Sequence, residues 1–185
     1  MVLTVVLVVS ALIAAADQLV KYVVYEHLAP DGHITVIDNL FSLVYVENRG
    51  VAFGMFQNHQ WLFIAVTLIL IAGFIYVIVT RQLHGKLFYP AAILVIGGGI
   101  GNLIDRLFRG FVIDYLSLSF FNPVCNLADY CITVGAVLLV ISVLLFQKNA
   151  DAAKAVEQTA DTEEAGSSDD EEDSRSTADG ENDGE

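Results

Sequence analysis

The feature that most constrains this chain is a set of long apolar runs. Residues 61–80, 87–107 and 127–146 are each long and apolar enough to cross a bilayer unaided, since a spanning helix needs about 20 mostly apolar residues. A fourth run, residues 2–25, is interrupted by Ser10, Asp17, Gln18 and Lys21. It competes with a cleaved signal peptide, because Ala14-Ala15-Ala16 is a small-residue stretch after an apolar core. Residues 1–13 hold no Lys or Arg, and the apolar pattern resumes at Leu19, Val20, Tyr22, Val23 and Val24. Both features favour a retained helix. The expected fold class is therefore membrane all-α, with four transmembrane helices.

Charge divides the chain in two. Residues 147–185 carry 14 acids and 3 bases, whereas residues 1–146 carry 8 acids and 6 bases. Such an acidic tail, without an aromatic residue after Phe146, cannot bury enough surface to offset its chain entropy. It is expected to be disordered and argues against a nucleic-acid partner. The expected domains are a membrane unit over residues 1–147 and an acidic cytoplasmic tail over 148–185. The two cysteines, Cys125 and Cys131, are too few for a disulfide framework. His27, His33, His59 and His84 are scattered, so no metal site or cofactor is expected.

The loop Arg81-Gln82-Leu83-His84-Gly85-Lys86 has two fixed positive charges and no acid. The positive-inside tendency makes it cytoplasmic, and with four helices both termini follow. The long outer loop, residues 26–60, holds two segments rich in β-branched and aromatic residues, 33–38 and 41–46, around an Asp38-Asn39 turn signal. They read as a small hairpin on the membrane surface. The second outer loop, residues 108–126, reads as a connecting segment.

This topology sends the polar residues to one rim: Asp17 and Lys21 from the first helix, Asn102, Asp105 and Arg106 from the third, Asp129 from the fourth, and Glu47, Asn48, Arg49 and Asp114 from the loops. Ionisable groups in spanning segments are functional candidates by default. Several also have plain structural readings. Asp17 and Lys21 are one turn apart and can neutralise each other and anchor the helix at the interface. Gly97 and Gly101 form a small-xxx-small pair suited to close packing. Gly98, Asn102 and Arg106 are spaced by four and share a face, where Arg106 either snorkels to headgroups or donates to a carboxylate or peptide carbonyl. Asp114 and Asp129 are the informative pair. Two carboxylates sharing a proton can hydrolyse an amide, one taking a proton from water while the other donates to the carbonyl. Asp129, in a helix first turn, is the expected base, and Asp114, in a loop among apolar neighbours, the expected acid.

Five motifs in order resemble those of bacterial lipoprotein signal peptidase, or signal peptidase II. They are Asp17-Gln18-Leu19-Val20-Lys21, Glu47-Asn48-Arg49-Gly50-Val51-Ala52-Phe53-Gly54, the segment from Gly98 to Arg106, Val112-Ile113-Asp114-Tyr115, and Asn126-Leu127-Ala128-Asp129. The resemblance spans residues 10–146 and leaves out the tail. It implies an aspartic endopeptidase that cleaves prolipoproteins before a diacylglyceryl-modified cysteine, in the bacterial cytoplasmic membrane, with its site facing outward. It further implies Asp114 and Asp129 as catalytic residues, Asn48, Gly98, Asn102, Arg106, Asn126 and Ala128 around them, and the outer strands as a cradle. A monomer in contact with membrane lipids, inhibited by globomycin-type peptides, completes the expectation. A transporter or proton channel would instead place its acids near the midplane of repeated helix pairs. A scaffold working through its tail would give the polar convergence no purpose.

Overall fold

The computed structural model describes residues 1–30, 32–50, 60–81 and 85–148. Residues 1–143 form one compact unit, and of the second, 144–185, the helical residues up to Lys148 are described. The acidic tail, and the Val51–Gly54 part of the second motif, lie outside the described residues.

Four helices are long and apolar enough to cross a membrane: α1 (Val2–Leu28), α2 (Gln60–Thr80), α3 (Phe88–Phe108) and α4 (Leu127–Lys148). The first apolar run is thus one continuous helix reaching past Lys21. Its buried residues are Val6, Ser10, Ala14, Asp17, Lys21, Val24 and Leu28, a stripe of three- and four-residue steps along one face. Most of the rest of α1 is exposed, and α2 is a mixture of exposed and half-buried residues in which Phe74 and Ile78 alone are buried. Apolar side chains facing outward at this density suit hydrocarbon rather than water.

α3 is the central helix, and its glycines make that position possible. A Cβ at Gly97 would lie 2.8 Å from Ile13 Cβ on α1, and one at Gly98 would lie 2.5 Å from the Ala128 carbonyl oxygen on α4. Small residues let helix backbones approach closely where no hydrophobic effect drives them together. Near the opposite end from the polar residues, Val6, Phe74, Ile78, Phe88, Ala92 and Ile96 close the contact among α1, α2 and α3.

Beside the helices lies a four-stranded antiparallel sheet in the order β1-β2-β3-β4. The expected hairpin is present as β1 (His33–Ile37) and β2 (Phe41–Asn48). The turn between them uses Asn39 at φ 57°, a left-handed conformation that Asn tolerates. The segment expected to be a connecting loop instead forms β3 (Val112–Leu118) and β4 (Phe121–Cys125). Val112, Ile113, Asp114 and Tyr115 are all buried. β3 pairs with β2 on one side and β4 on the other, and Ile113 and Tyr115 pack with Val24 and Leu28 of α1. Asp114 therefore sits in an inner strand, not in a loop.

Candidate active site

The local chemistry at the start of α4 holds Asp129 in place. A helix leaves its first N–H groups without intrahelical partners, and side chains take four of them here. Asn126 N–H donates to Asp129 Oδ2 at 3.1 Å, and Asp129 N–H donates to Asn126 Oδ1 at 3.0 Å. This is a reciprocal capping box with Asp at the position usually held by Glu or Gln. Leu127 N–H donates to the Tyr115 hydroxyl at 3.2 Å, and Ala128 N–H donates to Asp17 Oδ1 at 3.0 Å. The first turn carrying Asp129 is thus tied to α1 and to β3 as well as to itself.

Asp114 is placed by sheet register. It pairs with Val46, and Asn48 lies two residues further along β2 on the same face. Such diagonal neighbours are within side-chain reach, and Asn48 Nδ2 donates to Asp114 Oδ2 at 2.8 Å. Asn126 Nδ2 donates to Asp114 Oδ1 at 2.6 Å. The two carboxylates therefore share Asn126.

Three asparagine amides point their N–H₂ groups at this pair, and the orientation of each follows from a donor-only group at its oxygen. Asn48 Oδ1 accepts from Gly50 N–H at 3.0 Å. Asn126 Oδ1 accepts from Asp129 N–H. Asn102 Oδ1 accepts from the Lys21 ammonium at 2.8 Å, and its Nδ2 donates to Asp129 Oδ1 at 2.8 Å. Neither an ammonium nor a backbone N–H can accept a hydrogen bond, so none of these amides can flip without loss.

Burial pushes the Asp114 carboxyl up to about 6, and the neighbouring Asp129 charge adds to the shift, while the bonds from Asn48 and Asn126 oppose it. Asp114 is nearly inaccessible, whereas Asp129 is half-buried. Burial also pushes the Tyr115 hydroxyl up to about 12, so it stays neutral beside the two acids. Arg106 lies close enough to both carboxylates for its charge to act on them. Its guanidinium sits 5.3 Å from the Phe63 ring centroid, and its Nη1 donates to the Asn102 carbonyl at 3.1 Å.

Beneath the pair is a buried ionic cluster. Lys21 Nζ lies 2.8 Å from Asp17 Oδ2 and 2.8 Å from Asp105 Oδ2, with all three side chains fully buried. Lys21 and Asp17 do neutralise each other, and both are enclosed by protein. Asp105 Oδ1 accepts from Arg109 and from Gln18 Nε2, and Arg109 Nη1 also reaches Gln18 Oε1 at 3.0 Å. Asp105 Oδ2 accepts from Ile113 N–H at 3.3 Å, next to Asp114.

The structure thus gathers Asp17, Lys21, Asn48, Asn102, Arg106, Asp114, Asn126, Ala128 and Asp129 at one end of the bundle, with Gly98 providing the α3–α4 contact. The sequence reading placed Asp105 on the polar rim without giving it a role, and gave none to Gln18, Arg109 or Tyr115. A signal existed for Asp105 and Arg109, which stand four apart on one helix. Among the described residues no group of three or more metal-ligating side chains converges.

Four membrane-length helices carry two amide-clasped carboxylates at one end. A family model described as signal peptidase (SPase) II matches residues 9–145, and this match makes the protein a membrane peptidase of the aspartic type. The chain belongs to that family. The lipoprotein signal peptidase of Clostridioides difficile (strain 630) is 45% identical over 139 residues, covering 74% of this chain and 92% of the relative. That of Symbiobacterium thermophilum is 37% identical over 153 residues, covering 81% and 99%. A solved bacterial membrane enzyme superposes with a TM-score of 0.71 at 24% identity, over 79% of this chain and 91% of the other. That likeness supports the four-helix fold itself.

Proposed function

We propose that Asp114 and Asp129 are the catalytic pair, and that the substrate is a prolipoprotein cut just before its diacylglyceryl-modified cysteine. The observation carrying this reading is the shared partner: Asn126 donates to Asp114 through its side chain and to Asp129 through its backbone. Water enters on the more accessible Asp129. Asp129 takes a proton from it as the oxygen attacks the scissile carbonyl carbon, and Asp114 donates its proton to the carbonyl oxygen. Collapse of the diol returns a proton to Asp114, while Asp129 passes its own to the leaving nitrogen. The base role falls to Asp129 because it is the more accessible carboxylate and stands at a helix N-terminus, where the dipole favours negative charge. Arg106 supplies positive charge beside the intermediate. Asp17, Lys21, Gly98 and Ala128 support the pair rather than touch the substrate.

The site faces the extracytoplasmic side of the bacterial cytoplasmic membrane, with both termini inside, so that the acyl chains stay in the outer leaflet during cleavage. The sheet lies over the cleft as a cradle. A monomer suffices, since both carboxylates come from one chain, and globomycin-type peptides are expected to inhibit it. Residues 148–185, strongly acidic, are not needed for cleavage. The test is incubation of the purified full chain in detergent with a lipidated precursor and with its unlipidated form. Release of the signal peptide from the lipidated form alone is expected, and cleavage of neither would remove the reading.

A further inference from the structure

Lys21 is a fully buried cation to which the steps proposed above give only a supporting place. Its ammonium has three protons and three acceptors: Asp17 Oδ2, Asp105 Oδ2 and Asn102 Oδ1, each at 2.8 Å. The two carboxylates account for its charge. The third contact is to a neutral amide, and that amide is the one whose other end meets Asp129 Oδ1.

We propose that Lys21 is a positioning residue for Asp129, acting through Asn102: by occupying Asn102 Oδ1 it locks the amide so that Asp129 meets only an N–H donor on that side. This rests on the assignment of Asp129 as the base. An unlocked asparagine amide has two useful orientations. It donates to an ionised carboxylate, and after a half-turn it accepts from a protonated one. Asp129 passes through both states in each cycle, since it takes a proton from water and must release it to the leaving nitrogen. An amide free to turn would accept the Asp129 proton and hold it, stabilising the intermediate protonation state instead of the anion. With its oxygen held by an ammonium, Asn102 cannot do this, because turning would place N–H₂ against NH₃⁺. Asp129 Oδ1 is then an acceptor throughout the cycle. Oδ2 is occupied by Asn126 N–H, so the carboxylate plane is fixed at both oxygens. Among the described residues, the charged or titratable groups that interact with Asp129 include Arg106 from α3, Asp114 and Tyr115 from β3, Cys125 from β4 and Tyr130 from α4. Of these, Arg106 alone is a cation, and it touches the Asn102 backbone carbonyl rather than its amide.

The experiment is a double-mutant cycle on the full chain in detergent, with a lipidated precursor as substrate. Lys21→Met, Asn102→Leu and the double variant are compared by kcat and KM. A charge-assisted hydrogen bond predicts that each single variant lowers kcat by about 10- to 100-fold, with KM within about threefold. In the Asn102→Leu background, Lys21→Met is expected to cost little more, because its route to Asp129 is already cut. Losses that multiply, or a rise in KM at unchanged kcat, overturn the role and leave Lys21 as a buried counter-ion. If Lys21→Met does not fold, Lys21→Met/Asp105→Asn, which removes one buried cation and one buried anion together, is read against Asp105→Asn in the same cycle. Asp129→Asn separates the two readings. Retained cleavage there overturns both, whereas an inactive Asp129→Asn with multiplying losses overturns the Lys21 role alone.

Discussion

Asn126 and Asp114 are joined by a 2.6 Å hydrogen bond in which the amide can only donate, because its oxygen is already taken by the Asp129 N–H. One residue at the head of α4 thus caps its own helix and clasps an acid on the neighbouring sheet. The distance between the two proposed catalytic strands of chain is set by a side chain with no freedom to turn.

That arrangement makes the two acids separable from the fold. Asp114→Asn and Asp129→Asn keep the volume at each site, and each is expected to lower turnover by about 10³-fold or more while the protein still unfolds cooperatively. EDTA is expected to leave turnover unchanged, since no metal-binding cluster is present among the described residues. The measurement is single-turnover cleavage with thermal unfolding alongside. Activity lost to EDTA and restored by zinc would overturn the mechanism.

Gly98 is expected to be intolerant for a reason outside the chemistry. A Cβ there would lie 2.5 Å from the Ala128 carbonyl oxygen and 3.0 Å from Ile132 Cγ1, so α4 would have to shift together with Asp129. Gly98→Ala should destabilise by about 1–3 kcal/mol and lower kcat. Gly73→Ala on α2, where a Cβ meets nothing within 4 Å, is the control and should leave stability unchanged or raise it by up to about 1 kcal/mol, the gain of Ala over Gly inside a helix. Equal behaviour of the two variants in thermal unfolding would count against the close α3–α4 contact.

The four helices were legible because lipid imposes length and polarity on a sequence directly. The strands were only half legible. β1 and β2 flank a turn signal, but β4 contains Pro123, which argues against an inner strand. β4 tolerates it as the edge of the sheet. β3 holds Asp114 among buried apolar residues, which from sequence alone reads as a loop acid beside a hydrophobic patch. Its strand character depends on pairing with β2, about 66 residues away, and no local pattern encodes that. The ionic cluster was visible only in part. Asp17 and Lys21 were a recognisable pair, whereas the addition of Asp105 requires α1 and α3 to touch at Gly101, where a Cβ would stand 2.5 Å from Asp17 Oδ2.

Orientation in the membrane has its own test. Reporter fusions after Arg81 and after Asp151 are expected to read cytoplasmic, and fusions near His33 external, on the strength of the short acid-free loop over residues 81–86. The reverse pattern would put the site on the wrong face for a substrate arriving after export.

The protonation of Asp114 gives the sharpest prediction, because two variants should move it in opposite directions. Its carboxyl is pushed up to about 6, first by burial and then by the Asp129 charge, against the pull of the Asn48 and Asn126 donors. A raised carboxyl pKa means that the native state favours the protonated form. The associated contribution to stability is full below the ordinary value of 3.8 and is lost as pH rises through about 6. As the proton donor to the scissile carbonyl, Asp114 must carry its proton, so kcat/KM should fall as pH rises through the same region. Asn48→Ala removes a donor that stabilises the anion, so the limb should move to higher pH. Asp129→Asn removes the neighbouring charge, so the Asp114 titration, followed by NMR of carboxyl-labelled aspartate, should move to lower pH. Because the two acids interact, the wild-type limb belongs to the pair, and the variants resolve which carboxyl is being followed. A downward shift in Asn48→Ala, or an upward one in Asp129→Asn, would mean that Asp114 is not the protonated member. The two catalytic roles would then have to be exchanged within the same site.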